Sequence, residues 1–223
     1  MRLFDVLGPV MIGPSSSHTA GAARIGYTAR KLLGECPAKA QVYLHGSFAT
    51  TGHGHGTDRA LIAGLLGMRP DDSRLPDSFA IAQRQGLEFT IQPIDLQDAH
   101  PNTAVLKLER KDGSKLEVEA ASIGGGRIRV TKIDGVTVDF GGDSNTLIIQ
   151  NADAPGCVAQ IAMVLALQQI NVASMQAFRS KPGGYAVMVL ECDQTITSEL
   201  AEYMRKVPGI MQVTVLNVGE ENE

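Results

Sequence analysis

Twenty-four glycines punctuate the 223-residue chain, and they gather at a few points instead of spreading evenly. Glycine interrupts helix and strand periodicity alike, so these points mark where elements begin and end. Between Ser17 and Gly34, Ala22, Ile25, Ala29 and Leu32 recur at three- and four-residue spacing, the stripe of an amphipathic helix closed by glycine. Residues 40–48 alternate about Val42 and Leu44 as a strand, and 51–56 form a glycine-histidine loop. Residues 57–66 then read as a second helix with Thr57 as its cap. A short helix at 79–85 stops at Gly86, and Leu87, Phe89 and Ile91 alternate in the strand that follows.

From 103 to 140 the pattern becomes a meander, its strands divided by Asp112-Gly113, Asp134-Gly135 and the triple glycine Gly124–Gly126. The polar stretch Gly141-Gly142-Asp143-Ser144-Asn145 reads as a linker. Beyond it the expected order is strand (146–150), helix (158–167), strand (172–179), strand (185–191), helix (198–205) and strand (212–218). That is the βαββαβ, ferredoxin-like plan. The fold class is therefore α+β, with one domain over residues 1–143 and a second over 146–220.

Twenty Lys and Arg against twenty-four Asp and Glu give a net charge of -4, which offers no general attraction to nucleic acid or an anionic membrane. The longest apolar run, near 161–167, falls short of the roughly 20 residues a bilayer requires, and the N-terminus lacks a signal-like pattern. A cytoplasmic location is the expectation. Cys36, Cys157 and Cys192 are widely spaced and odd in number, fitting neither a disulfide framework nor a CxxC site. They read as small buried apolar side chains, and Met163, Met175, Met188, Met204 and Met211 as core filling.

Two stretches carry chemistry. In Gly13-Pro14-Ser15-Ser16-Ser17-His18-Thr19, four hydroxyls and an imidazole fall where a helix begins. The free amides and positive dipole end of a helix start suit a carboxylate or phosphate, with an ordinary serine-rich N-cap as the plainer alternative. In Gly52-His53-Gly54-His55-Gly56-Thr57-Asp58, imidazoles alternate with glycines ahead of the second helix. Histidine is the general base suited to neutral pH, and the glycines leave the backbone open to a ligand. A His-x-His pair with Asp58 nearby also admits a metal reading, and a solvated surface loop is the bland one.

Taken together, Gly-Pro-Ser-Ser-Ser-His-Thr-Ala-Gly-Ala at 13–22, Gly-Ser-Phe-Ala at 46–49, Gly-His-Gly-Thr-Asp at 54–58, His-Pro-Asn-Thr at 100–103 and Ser-Ile-Gly-Gly-Gly at 122–126 resemble the beta chain of bacterial iron-sulfur-dependent L-serine dehydratases. The resemblance covers essentially the whole chain. It implies an allosteric-substrate-binding-like α+β domain followed by an ACT domain. It implies a lyase, an L-serine ammonia-lyase of amino-acid metabolism and gluconeogenesis, that yields pyruvate and ammonia and works only with an alpha chain. The 4Fe-4S cluster would be held by cysteines of that alpha chain, leaving no metal ligand in this one.

By match to the motifs, Ser15, Ser16, Ser17, His18, Thr19 and Thr57 would hold the substrate, the first five at its carboxylate. His55 would take the Cα proton ahead of His53 or His18, with Asp58 orienting the loop or the base. In the ACT domain, Asn151, Ala152, Asp153, Ala154, Pro155 and Gly156 form the expected effector loop, unless that domain serves only for contacts between beta chains. A competing reading is a non-catalytic regulatory subunit that binds an anion or amino acid.

Overall fold

The computed structural model describes residues 11–218, which divide into two compact units between Asp134 and Gly135. The division falls in the Asp134-Gly135 turn, ahead of the glycine-bearing stretch at 141–145 that the sequence marks as a linker. The fold is α+β, as the sequence pattern indicates.

In the first unit, a single π turn at Ser16–Ala20 leads into α1 (Gly21–Leu33). There follow β1 (Lys39–His45), the short α2 (Ser47–Thr51), α3 (Thr57–Leu65), α4 (Ser78–Gln85), β2 (Glu88–Ile94), β3 (Thr103–Glu109), β4 (Lys115–Gly124) and β5 (Arg127–Ile133). Within this unit the strands make a sheet in the order β2-β1-β3-β4-β5, and β6 (Val136–Phe140) opens the second unit. β1 pairs parallel with β2 and antiparallel with β3, and β3, β4 and β5 continue as the expected meander. Helix ends follow the glycines: Gly34 and Gly86 take left-handed φ values of 92° and 76° that other residues rarely adopt.

α1 packs on α3 and on β4, burying Ala22, Ile25, Ala29 and Leu32 as their spacing requires. The two helices approach so closely that a Cβ on Gly26 would lie 2.2 Å from the Leu61 carbonyl oxygen, and one on Gly64 2.1 Å from that of Ala23. Only glycine fits. Ile25, Leu61, Ile62 and Leu65 are wholly buried, each contributing roughly 1.5–3 kcal/mol of apolar burial.

The second unit continues with β7 (Asn145–Ala152), α5 (Cys157–Leu167), β8 (Val172–Arg179), β9 (Tyr185–Cys192), α6 (Ser198–Arg205) and β10 (Ile210–Leu216). Its four-stranded antiparallel sheet runs β10-β7-β9-β8, the order that a βαββαβ unit gives. Leu147, Ile149, Met188, Leu190 and Val213 of the sheet pack with Ile161, Leu165, Leu200 and Met204 of the helices.

Several local expectations change. Strand β1 ends at His45, and Ser47 and Phe48, expected at its end, lie instead in the helix Ser47–Thr51. Of the methionines read as core, Met188 and Met204 are buried, whereas Met163, Met175 and Met211 lie at the surface. Cys157 and Cys192 are buried and Cys36 is half-buried; all three are free thiols. No helix among the described residues is long and apolar enough to cross a membrane.

Candidate functional site

The start of α1, the helix α2 and the loop before α3 come together in the first unit. Ser15 caps the turn that opens α1, its Oγ accepting the His18 amide at 3.1 Å. From this turn His18 projects its imidazole between two hydroxyl pairs. Nδ1 lies 3.1 Å from Ser17 Oγ and 3.5 Å from Ser15 Oγ. On the other side, Nε2 lies 3.1 Å from both Ser47 Oγ and Thr51 Oγ1. Thr19 Oγ1 donates to the His55 carbonyl at 3.0 Å, tying the first motif to the histidine loop.

The rings of His18 and His55 sit 5.0 Å apart between centroids, and Phe48 meets His18 edge-on at 5.5 Å. His55 Nδ1 lies 3.0 Å from the Thr51 carbonyl oxygen. A carbonyl can only accept, so Nδ1 carries the hydrogen and the neutral ring presents Nε2 as a lone-pair base. Burial and the neighbouring charge of His55 hold the His18 imidazole below its ordinary pKa, with the Ser47 backbone opposing them.

Asp58 is buried at the start of α3, where Oδ1 accepts the Arg59 amide at 2.8 Å and Oδ2 lies 2.9 Å from His53 Nδ1. Its partner is thus His53, an exposed side chain of the loop that carries His55. Thr57 departs from expectation. Gly56, at φ 70°, occupies the cap position, and the Thr57 hydroxyl is buried without a hydrogen-bond partner. The cap is displaced because Thr57 is already the first residue of the helix, with its side chain buried.

The two remaining motifs back this cluster. Gly46, at φ 58°, leaves no room for a Cβ against Pro101, and the Ser47 amide donates to the Pro101 carbonyl at 2.8 Å. The Ser122 amide donates to Asn102 O at 3.0 Å, and its buried Oγ faces Gly21 in α1. Arg24 Nη1 donates to Gly126 O at 3.1 Å, holding the triple-glycine turn to the same helix. Among the described residues the structure thus gathers Ser15, Ser17, His18, Thr19, His55 and Asp58, and adds Ser47 and Thr51. Ser47 belongs to the Gly46–Ala49 motif, which was its signal; Thr51 stands four residues from both Ser47 and His55, a spacing that matters only once α2 forms.

In the second unit, Asn151–Gly156 runs from the end of β7 to the start of α5. Asn151 is buried, its Nδ2 donating to Ala152 O at 2.7 Å while its Oδ1 has no partner. Asp153 bonds outward to Arg179 and to the Gly183 amide at 3.1 and 3.0 Å. Among the described residues no group of three or more His, Cys, Asp or Glu could hold a metal ion. Cys36, half-buried, and Cys157 and Cys192, both buried, form no such group, so this chain's residues do not fit a 4Fe-4S cluster.

Fold and site together define an α+β protein in which a hydroxyl- and imidazole-lined helix start is joined to an ACT-type domain. The serine dehydratase beta chain family matches residues 3–93, and the ACT domain family matches 145–209. A protein of Bacillus subtilis named "Probable L-serine dehydratase, beta chain" is 42% identical over 212 residues, 95% of this chain and 96% of that one. The "L-serine dehydratase, beta chain" of Peptoniphilus asaccharolyticus is 35% identical over 198 residues, 88% and 89% of the two chains. A D-3-phosphoglycerate dehydrogenase of Archaeoglobus fulgidus is 28% identical over 200 residues, 88% of this chain and 37% of that enzyme. The chain belongs to the serine dehydratase beta chain family.

Proposed function

We propose that this chain is the substrate-holding beta subunit of a cytoplasmic L-serine dehydratase, which converts L-serine to pyruvate and ammonia with an alpha chain as partner. The names of its relatives support the subunit reading. The observation that carries the catalytic reading is the hydrogen bond from His55 Nδ1 to Thr51 O at 3.0 Å, which leaves Nε2 free as a base beside the serine-lined helix start.

In this reading the substrate carboxylate lies at the first turn of α1. Ser15 already caps the His18 amide, so the amides of Ser16 and Ser17 and the nearby hydroxyls are left for the ligand. His18 orients those hydroxyls, and Thr19 holds the His55 backbone in place. His55 Nε2 then removes the Cα proton; the electron pair of that bond becomes the Cα–Cβ double bond as hydroxide departs from Cβ. Asp58 acts through His53 on the loop and not on the base itself. A 4Fe-4S cluster, which this chain does not hold, would belong to the alpha chain and supply Lewis-acid help to the leaving hydroxyl.

Asn151–Gly156 is proposed as the effector loop of the ACT domain, where the unpartnered Asn151 Oδ1 suits the ammonium of a small amino acid. His55→Ala tests the central claim. With the alpha chain present, turnover of L-serine to pyruvate should fall ~10²- to 10⁴-fold while cluster content stays unchanged. Near-normal turnover would remove His55 from the role and favour a regulatory subunit or a base on the partner.

A further inference from the structure

Thr51 joins the two histidines of the site by two different atoms. Its hydroxyl owns one hydrogen and lies 2.9 Å from the Ser47 carbonyl, which can only accept, and 3.2 Å from Ser47 Oγ, which can donate in return, so that hydrogen goes to the carbonyl. The Oγ1 lone pairs that remain face His18 Nε2 at 3.1 Å, so a hydrogen on Nε2 is required for that contact to be a bond. Ser47 Oγ, also 3.1 Å from Nε2, is free to donate or accept and imposes neither form. Meanwhile the Thr51 carbonyl demands a hydrogen on His55 Nδ1.

We infer that Thr51 is a positioning residue that sets opposite tautomers in the two rings, Nε2–H in His18 and Nδ1–H in His55. The consequence reaches the chemistry. With Nε2 donating to Thr51 and Nδ1 accepting from Ser17 or Ser15, His18 has no lone pair to spare. Although its ring lies 5.0 Å from that of His55, it does not compete for a substrate proton, and the site holds one base. Thr51 is exposed and lies at the end of a short helix, so its replacement leaves the buried helix pair untouched.

This inference rests on the lyase reading for its kinetic part, but its structural part does not. The test uses the full chain labelled with ¹⁵N in histidine, and reads each tautomer from two-bond nitrogen-proton couplings. The wild type is expected to show Nε2–H at His18 and Nδ1–H at His55. Thr51→Val should mix the His18 tautomers while leaving His55 as it was, because the backbone carbonyl remains; Thr51→Ser should restore the wild-type pattern. With the alpha chain, Thr51→Val is expected to lower kcat about 2- to 10-fold at nearly constant KM, again with rescue by Ser. A wild-type His18 carrying its hydrogen on Nδ1, or a Thr51→Val chain with His18 unmoved, overturns the inference. The expected tautomers in a complex that makes no pyruvate would uphold it and sink the lyase reading alone.

Discussion

The two units treat their polar and apolar groups in opposite ways. In the first, the hydroxyls and imidazoles of the site bond to one another above a helix pair whose apolar side chains are wholly buried. In the second, α5 is apolar nearly all round, with Met163 62% and Leu167 71% exposed, while the side-chain Oδ1 of Asn151 is buried without a partner. Exposed apolar side chains of this size on one helix are the surface feature by which a contact face would be recognised. On the proposed reading, the contrast separates a site organised in advance for a reaction from a domain left to meet an effector or another beta chain. It follows that disturbing each unit should have separable results.

The largest effect should come from the helix crossing. In Gly64→Ala the added Cβ would lie 2.1 Å from Ala23 O and 2.6 Å from the Tyr27 amide nitrogen, backbone atoms that cannot swing aside. The helices must part, and a cost at the upper end of overpacking, about 3 kcal/mol, is expected. Hydrogen exchange followed by mass spectrometry should show protection lost in α1 and α3 and kept in β7, β9 and β10. Equal loss in both units would break the comparison, since it would mean that they fold as one.

A smaller effect is expected in the second unit. Calorimetric titration of the full chain with a panel of small amino acids should give heat for at least one, and Asn151→Ala should weaken its binding by about 10- to 100-fold, the worth of a hydrogen bond to a charged group. The His18 and His55 resonances should not change in that variant. Silence across the whole panel would leave the domain to assembly.

How much of this was visible in the sequence depends on whether the signal was local. The stops at Gly34 and Gly86, the two Asp-Gly turns and the βαββαβ order were legible, because a left-handed residue or a repeating apolar spacing is written into adjacent positions. Helix α2 was not. Five residues are too few to show a helical period, and the Ser47 amide is held by Pro101, more than fifty positions away. Missing α2 meant missing Thr51, which reaches His18 only from a helical turn. The pairing of Asp58 with His53 instead of His55 was hidden for a similar reason, since both histidines are close to it in sequence and only the folded loop chooses. The exposed Met163, Met175 and Met211 were misread because a methionine at an apolar spacing looks the same whether the chain covers it or a partner does.

The smallest expected effect concerns pH. All five histidines lie at or before position 100, so the second unit has none. Burial and then the nearby charge of His55 lower the pKa of His18 in the folded chain, while the unfolded chain keeps the ordinary value of about 6.5. Between those two values the unfolded state binds a proton that the folded state refuses, so acid favours unfolding. The contribution of His18 to stability is therefore constant above about pH 7, declines as the pH falls through about 6.5, and levels off below the depressed folded value. The stability of the first unit to urea, followed by exchange protection in α1, should weaken as the pH falls below about 7, and His18→Gln should flatten that slope. Protection in β7 and β9 should stay level over the same range. A slope in the first unit that His18→Gln leaves unchanged would assign the proton to another group, and a matching slope in the second unit would show that the two share one unfolding transition.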